Sequence, residues 1–153
     1  MQIMYIIFKL NNQFFGVEVN QVISIERLQP LTEVPGTAHF IKGIMPLRGE
    51  ITPILDLKER LSMKKTTTTD ENRILIINLE DIQIGLIVDE ATGVIDIDST
   101  SIEPPFEMIS GVDNRYIKGI AKVDKKLLIL LDLTKVTDQN ENIQLHESSQ
   151  SIN

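Results

Sequence analysis

At 153 residues, a net charge of −7 and a pI near 4.8, the chain has room for one medium domain or two small ones sharing a core, and it is too acidic to be drawn to a phosphate backbone, so nucleic acid is not an expected partner. It has no cysteine, and its two histidines, His39 and His146, lie far apart, so neither a disulfide framework nor a metal site is expected, and no cofactor motif is present. No apolar run approaches the ~20 residues needed to cross a bilayer, and the apolar start Met1 to Leu10 carries Lys9 and runs into Asn11-Asn12-Gln13, unlike a cleaved leader; the expectation is a soluble, cytoplasmic protein without direct membrane insertion.

In chain order, residues 3–10 predict a strand apolar on both faces, with Met4, Ile6, Phe8 and Leu10 on one and Ile3, Tyr5 and Ile7 on the other, so both faces should be covered. Residues 14–19 alternate Phe15, Val17 and Val19 with Gly16 and Glu18, as a strand with one buried face does. Asp56 to Leu61 predicts a short helix capped by the Asp56 carboxylate, and Asp132 to Val136 a similar turn. The run Thr66 to Thr69, followed by Asp70, Glu71 and Asn72, reads as a surface loop. Residues 82–89 direct Ile82, Ile84, Leu86 and Val88 one way and Gln83, Gly85 and Asp89 the other, with Ile87 the one apolar residue on the second face. From Thr137 to Asn153 the composition turns polar, predicting a peripheral tail that is at most a helix using Ile143 and Leu145.

The segments repeat. Phe40-Ile41-Lys42-Gly43-Ile44 returns as Tyr116-Ile117-Lys118-Gly119-Ile120, and Leu55-Asp56-Leu57 returns as Leu131-Asp132-Leu133, both 76 residues on. Upstream, Phe15 to Val19 matches Ile84 to Val88 and Val22 to Ile25 matches Val94 to Ile97 at shorter offsets, as insertions between strands would produce. Two units, about 3–61 and 73–136, each carry enough short strands for a small barrel. Each is marginal alone, so a shared core is expected; whether the units exchange strands stays open.

Single residues allow a plain and a sharper reading. Arg48, before Gly49, is by default a solvated turn arginine, and Gly49 supplies a positive φ. Gly43 and Gly119 sit inside strand-like runs, where a bulge is the plain explanation and close approach of a partner the sharper one. Val22, Ile25 and Ile44 are apolar strand residues that belong either to the core or to the floor of a groove. Asp56 and Asp132 occupy equivalent places, which invites comparison with a carboxylate dyad, but helix capping accounts for them better. Nothing in the chain resembles a phosphate loop or a nucleophile with its base, so no enzyme is expected.

Taken in order, the motifs resemble the CheW family of chemotaxis coupling proteins across about residues 4–136. They are Phe15 to Val19, Val22 to Ile25, Phe40 to Gly49, Pro53 to Leu57, Ile84 to Asp89 and Tyr116 to Ile120. The resemblance implies an all-β fold of two intertwined five-stranded SH3-like β-barrels, related by an internal pseudo-two-fold duplication and carrying short helical turns. It implies one CheW-like domain over 1–136, with 137–153 as its tail. The implied role is a non-enzymatic adaptor that couples the cytoplasmic tips of methyl-accepting chemoreceptors to the regulatory domain of a CheA-type histidine kinase, recruited to membrane-associated arrays. By the same resemblance Arg48, Gly43, Val22, Ser24 and Gly49 face the receptor, in a groove between the barrels, while Val34, Pro35 and Ile44 face the kinase. The family usually has Asn where this chain has Pro46, and often an acidic residue where it has Ser24. Two other readings stand beside this one: a CheW-like adaptor of a pathway with another output such as surface motility, and a small ligand-binding or hydrolytic barrel using Asp56 and Asp132.

Overall fold

The computed structural model describes residues 1–63, 68–105 and 114–137. Thr66 and Thr67 of the threonine run, and the tail beyond Thr137 with Ile143 and Leu145, lie outside the described residues.

Eleven strands are described, β1 (Gln2–Leu10), β2 (Gln13–Glu18), β3 (Val22–Arg27), β4 (Ile41–Leu47), β5 (Glu50–Asp56), β6 (Arg73–Leu79), β7 (Ile82–Val88), β8 (Glu90–Asp98), β9 (Ile102–Glu103), β10 (Ile117–Val123) and β11 (Lys126–Leu131), with short helices α1 (Leu57–Arg60) and α2 (Leu133–Val136). They form one sheet in the order β8-β1-β2-β11-β10-β9 and another in the order β3-β6-β7-β5-β4, giving two SH3-like barrels. Under the repeat, β1, β2, β3, β4 and β5 correspond to β6, β7, β8, β10 and β11, so the two orders are the same pattern. Each sheet draws strands from both halves of the chain. Even the odd strand has a counterpart: β9 pairs with β10 through Ile120↔Glu103, and in the other sheet the bridge Thr32↔Ile44 stands in its place.

The constant offset of the repeat has a bonding basis. The Asp56 amide donates to the Phe40 carbonyl at 2.8 Å, and the Asp132 amide donates to the Tyr116 carbonyl at 2.9 Å. Four two-residue hairpins also obey the symmetry: Asn11-Asn12 matches Glu80-Asp81, and Arg48-Gly49 matches Asp124-Lys125, every residue having a positive φ between 49° and 78°. That geometry suits the right-handed twist of the strands, which is why two-residue links suffice.

Three apolar clusters fill the molecule. The largest lies between the sheets and holds Ile6, Phe8, Phe15 and Val17 from one, and Leu55, Leu75, Ile84 and Leu86 from the other. The other two fill the barrel interiors, one around Tyr5, Ile7, Ile97 and Leu130 and one around Met45, Ile54, Ile74, Ile76 and Ile87. From Tyr5 onward the first strand is therefore covered on both faces, as its sequence predicts, while Met4 near its start stays exposed. β7 departs from its sequence pattern: the face of Gln83, Gly85 and Ile87 is not solvated but turns into a barrel. A small barrel has little room inside, and a Cβ on Gly85 would lie 2.6 Å from Ile54 Cδ1 and 2.7 Å from Ile74 Cγ2. Gly85→Ala is expected to lose roughly 1–3 kcal/mol of stability through overpacking, read by urea denaturation.

Candidate functional site

Arg48 and Gly49 form the tip of the β4–β5 hairpin, where Leu47 pairs with Glu50, and both are exposed. Gly49 has the positive φ its sequence implies, at +78°. Arg48 has one too, at +53°, a conformation uncommon for arginine that the two-residue hairpin imposes. The tip thus presents a guanidinium clear of the barrel.

Gly43, on the same hairpin, is buried. Its φ is +151°, and a Cβ there would meet the Thr32 carbonyl oxygen at 2.6 Å. The Thr32 and Ile44 backbones exchange hydrogen bonds of 3.0 and 2.9 Å over this point, and the register shifts between Ile41 and Gly43. The bulge accounts for the glycine, as the plain reading has it.

Val22 and Ser24 lie on β3, at the other edge of the sheet order from β4. Val22 packs against the large cluster, and Ile25 keeps 41% of its surface exposed. The register shifts between Val22 and Ser24, and the Ser24 hydroxyl is buried with no hydrogen-bond partner among the described residues. The Ser24 hydroxyl is therefore turned away from the surface. Val34 is half-buried and Pro35 exposed in the β3–β4 connection, and Ile44 is half-buried on edge strand β4. The shared core fills the space between the two sheets.

The lysines of the repeated motif are engaged. Lys42 is ion-paired to Glu59, and Lys118 to Glu18 at 2.8 Å, with Tyr5 Oη at 3.3 Å. Desolvation pulls the Lys118 pKa down, but the bonds to Glu18 and Tyr5 outweigh it and leave the group above the ordinary lysine value. Asp56 accepts from the Lys58 amide at 3.1 Å and Asp132 from the Thr134 amide at 3.0 Å. Each carboxylate caps its own helix, at the ends of strands in different sheets, as the capping reading predicts.

Two features escape the sequence. Pro46 and Ile51 face each other across the hairpin beside Arg48, with Pro46 exposed and Ile51 58% exposed. At the equivalent place in the other barrel, Lys122 faces Leu127, itself 64% exposed. Exposed residues at hairpin tips follow from the repeat once β4, β5, β10 and β11 are known to be hairpins. The second feature is Arg60, which is buried and lies 5.2 Å from the Phe40 ring and 4.9 Å from the Tyr116 ring, the two repeat-equivalent aromatics. It donates from Nη1 to Tyr116 Oη at 2.7 Å; nothing in Lys58-Glu59-Arg60 signals that the arginine turns inward.

Compared with known proteins, the chain matches the CheW-like domain over residues 4–141. It is 40% identical over 146 residues to the chemotaxis protein CheW of Bacillus subtilis, covering 95% of this chain and 89% of that one. It is 28% identical to the chemotaxis protein CheW of Treponema pallidum, covering 92% and 85%. The crystal structure of the scaffolding protein TtCheW from Thermoanaerobacter tengcongensis superimposes with a TM-score of 0.83 at 35% identity, covering 92% of this chain and 91% of that one.

Proposed function

The chain belongs to the family of CheW-like domains, non-catalytic scaffold proteins of chemotaxis, and on that premise we propose that it joins chemoreceptor cytoplasmic tips to a CheA-type histidine kinase. Residues 1–136 act as one adaptor unit with 137–153 as its tail. The receptor tip, a helical hairpin, takes a hydrogen-bonded contact from Arg48 at the β4–β5 tip and apolar contact from Val22 on β3. Gly49 sets the turn, while Gly43 and Ser24 contribute backbone shape. The kinase regulatory domain meets the β4 edge through Val34, Pro35 and Ile44. No helix among the described residues is long and apolar enough to cross a membrane, and in this reading the chain reaches membrane-associated arrays through its partners.

One observation supports the receptor assignment above the others. The duplicated fold makes the same exposed hairpin turn twice, but only one copy carries an arginine beside an apolar cross-strand pair; the other has Asp124-Lys125 beside Lys122 and Leu127. A guanidinium offers several donors in a fixed plane, which fits carboxylate or carbonyl acceptors on a helix surface. Arg48→Asp is expected to weaken capture of a receptor cytoplasmic fragment at least ~10-fold, the loss of a charge-assisted contact. It should move stability by no more than ~0.5 kcal/mol, because the residue is exposed and aspartate tolerates positive φ. Unchanged capture of the fragment by the folded variant would overturn the assignment of Arg48.

A further inference from the structure

Two arginines stand side by side at one end of the β3–β6 pair. Arg27, the last residue of β3, is the direct cross-strand partner of Arg73, the first residue of β6, so both side chains leave the same face of the sheet. Both line a cavity of about 470 Å³, which lies between Leu28 and Pro30 of the β3–β4 connection and the loop that precedes β6.

Like charges directly opposite one another on a strand pair are unfavourable unless a counter-charge answers them. Among the described residues neither arginine takes part in an ion pair. Arg73 is nevertheless held in place, because its Nη1 donates to the Asp70 and Asn72 carbonyls, each at 2.8 Å. These bonds fix the plane of the guanidinium and leave Nε and Nη2 for a ligand. The loop that supplies the carbonyls is itself anchored: Asn72 is buried, donates from Nδ2 to the Val88 carbonyl at 3.4 Å and accepts from the Thr69 amide. On the opposite wall, Leu28 packs against the cluster around Met45 and Ile54. The walls are therefore built by the fold and need no ligand to form.

Charge and size together define the occupant. Asp70 is the one carboxylate of the lining, and Glu71 lies exposed outside it, so two guanidiniums against one carboxylate leave an excess of one positive charge. One further carboxylate balances it, and its two oxygens match the fork of an arginine. A free carboxylate would fill only a small part of the 470 Å³, and Leu28 and Pro30 give the remainder an apolar border suited to a methylene stem. We propose that this cavity takes one acidic side chain of a protein partner, with its carboxylate between Arg27 and Arg73 and its stem along Leu28 and Pro30. The site uses none of the residues assigned to the receptor or the kinase, so it stands or falls apart from that reading.

The test is a titration of the full isotope-labelled chain with a short capped alanine peptide carrying one central glutamate, and with a control carrying glutamine there. Backbone amide and arginine Nε–H signals are followed. Shifts are expected at Arg27 to Gln29 and at Thr69 to Arg73, with the glutamate peptide binding roughly 10-fold tighter than the glutamine peptide, the scale of a charge-assisted pair. Arg27→Gln, at an exposed position, should erase that difference. Its melting temperature at low salt should hold or rise, because the like-charged neighbour is gone, while Arg48→Asp leaves peptide binding unchanged. No response at millimolar peptide, equal binding of the two peptides, or a preference for glutamate that survives Arg27→Gln would overturn the proposal. A lowered melting temperature of Arg27→Gln would also overturn it, since the arginine would then serve the fold. Inorganic phosphate binding more tightly than the glutamate peptide at the same signals would overturn the assignment to a carboxylate.

Discussion

Replacing Gly43 by alanine is expected to cost about 3 kcal/mol, because two penalties act at one atom: a strained backbone and a blocked packing contact. The φ of +151° is one that side chains rarely adopt, and the added Cβ would press on the Thr32 carbonyl oxygen, a backbone atom held by its own hydrogen bond to Ile44. The sister position is a built-in comparison. A Cβ on Gly119 would meet Ile102 Cγ2 at 2.5 Å and the Glu103 carbonyl oxygen at 2.9 Å, without a positive φ, so Gly119→Ala should cost less. For a domain of this size the Gly43 loss corresponds to a drop of roughly 6–12 °C in melting temperature. Hydrogen exchange should show the Thr32 and Ile44 amides losing protection first. A loss below ~1 kcal/mol in urea denaturation would mean that the bulge accommodates a side chain, and that the close approach is not what selects glycine.

Lys58→Met is expected to cost about 2 kcal/mol by removing a buried ion pair that ties one sheet to the other. Lys58 is buried in α1, and its Nζ donates to Asn11 Oδ1 at 3.0 Å and to Asp89 Oδ2 at 3.0 Å, while the Asn11 amide donates to the same carboxylate oxygen at 2.8 Å. The three residues come from the helix after β5, the turn between β1 and β2, and the end of β7, so the network spans both sheets. Breaking a fully buried pair costs about 3–5 kcal/mol; the Asp89 side chain here retains 25% of its exposure, and water takes up part of the loss. Methionine keeps the length of the stem, which separates charge from packing. Adding Asp89→Asn should recover about half of the loss, and a double-mutant cycle should return a coupling of about 1 kcal/mol or more. Additive effects would show that the two side chains do not act as a pair.

Much of the fold was legible because barrels impose regular spacing. The 76-residue offset reflects matched hydrogen bonds from Asp56 and Asp132 to Phe40 and Tyr116, and the apolar pattern on both faces of β1 reflects its place between a barrel interior and the shared core. Strand exchange was not legible, since a repeated sequence reads the same whether β1 and β2 pair with β3 and β5 of their own half or, as they do, with β8 and β11. Gln83 misleads for a related reason: a polar residue on an alternating strand reads as solvated, yet here it hydrogen-bonds inside a barrel end. At the candidate site the turn of Arg48 and Gly49 was readable from glycine alone. The burial of the Ser24 hydroxyl was not, because it follows from a register shift in an edge strand that no residue type announces. Arg60 is the clearest case of context overriding type, since only the meeting of Phe40 and Tyr116 across the repeat makes a buried place for its guanidinium.

Whether this one body holds receptor and kinase together is tested most directly by control of kinase activity in a reconstituted mixture. A CheA-type kinase and a receptor cytoplasmic fragment would be combined with this protein or with its Arg48→Asp variant, and kinase autophosphorylation and co-sedimentation followed. Receptor control of the kinase is expected only when the unmodified chain is present, with the variant still co-sedimenting with the kinase but failing to bring in the receptor. Competition between kinase and receptor for the chain, so that each displaces the other, would contradict the account.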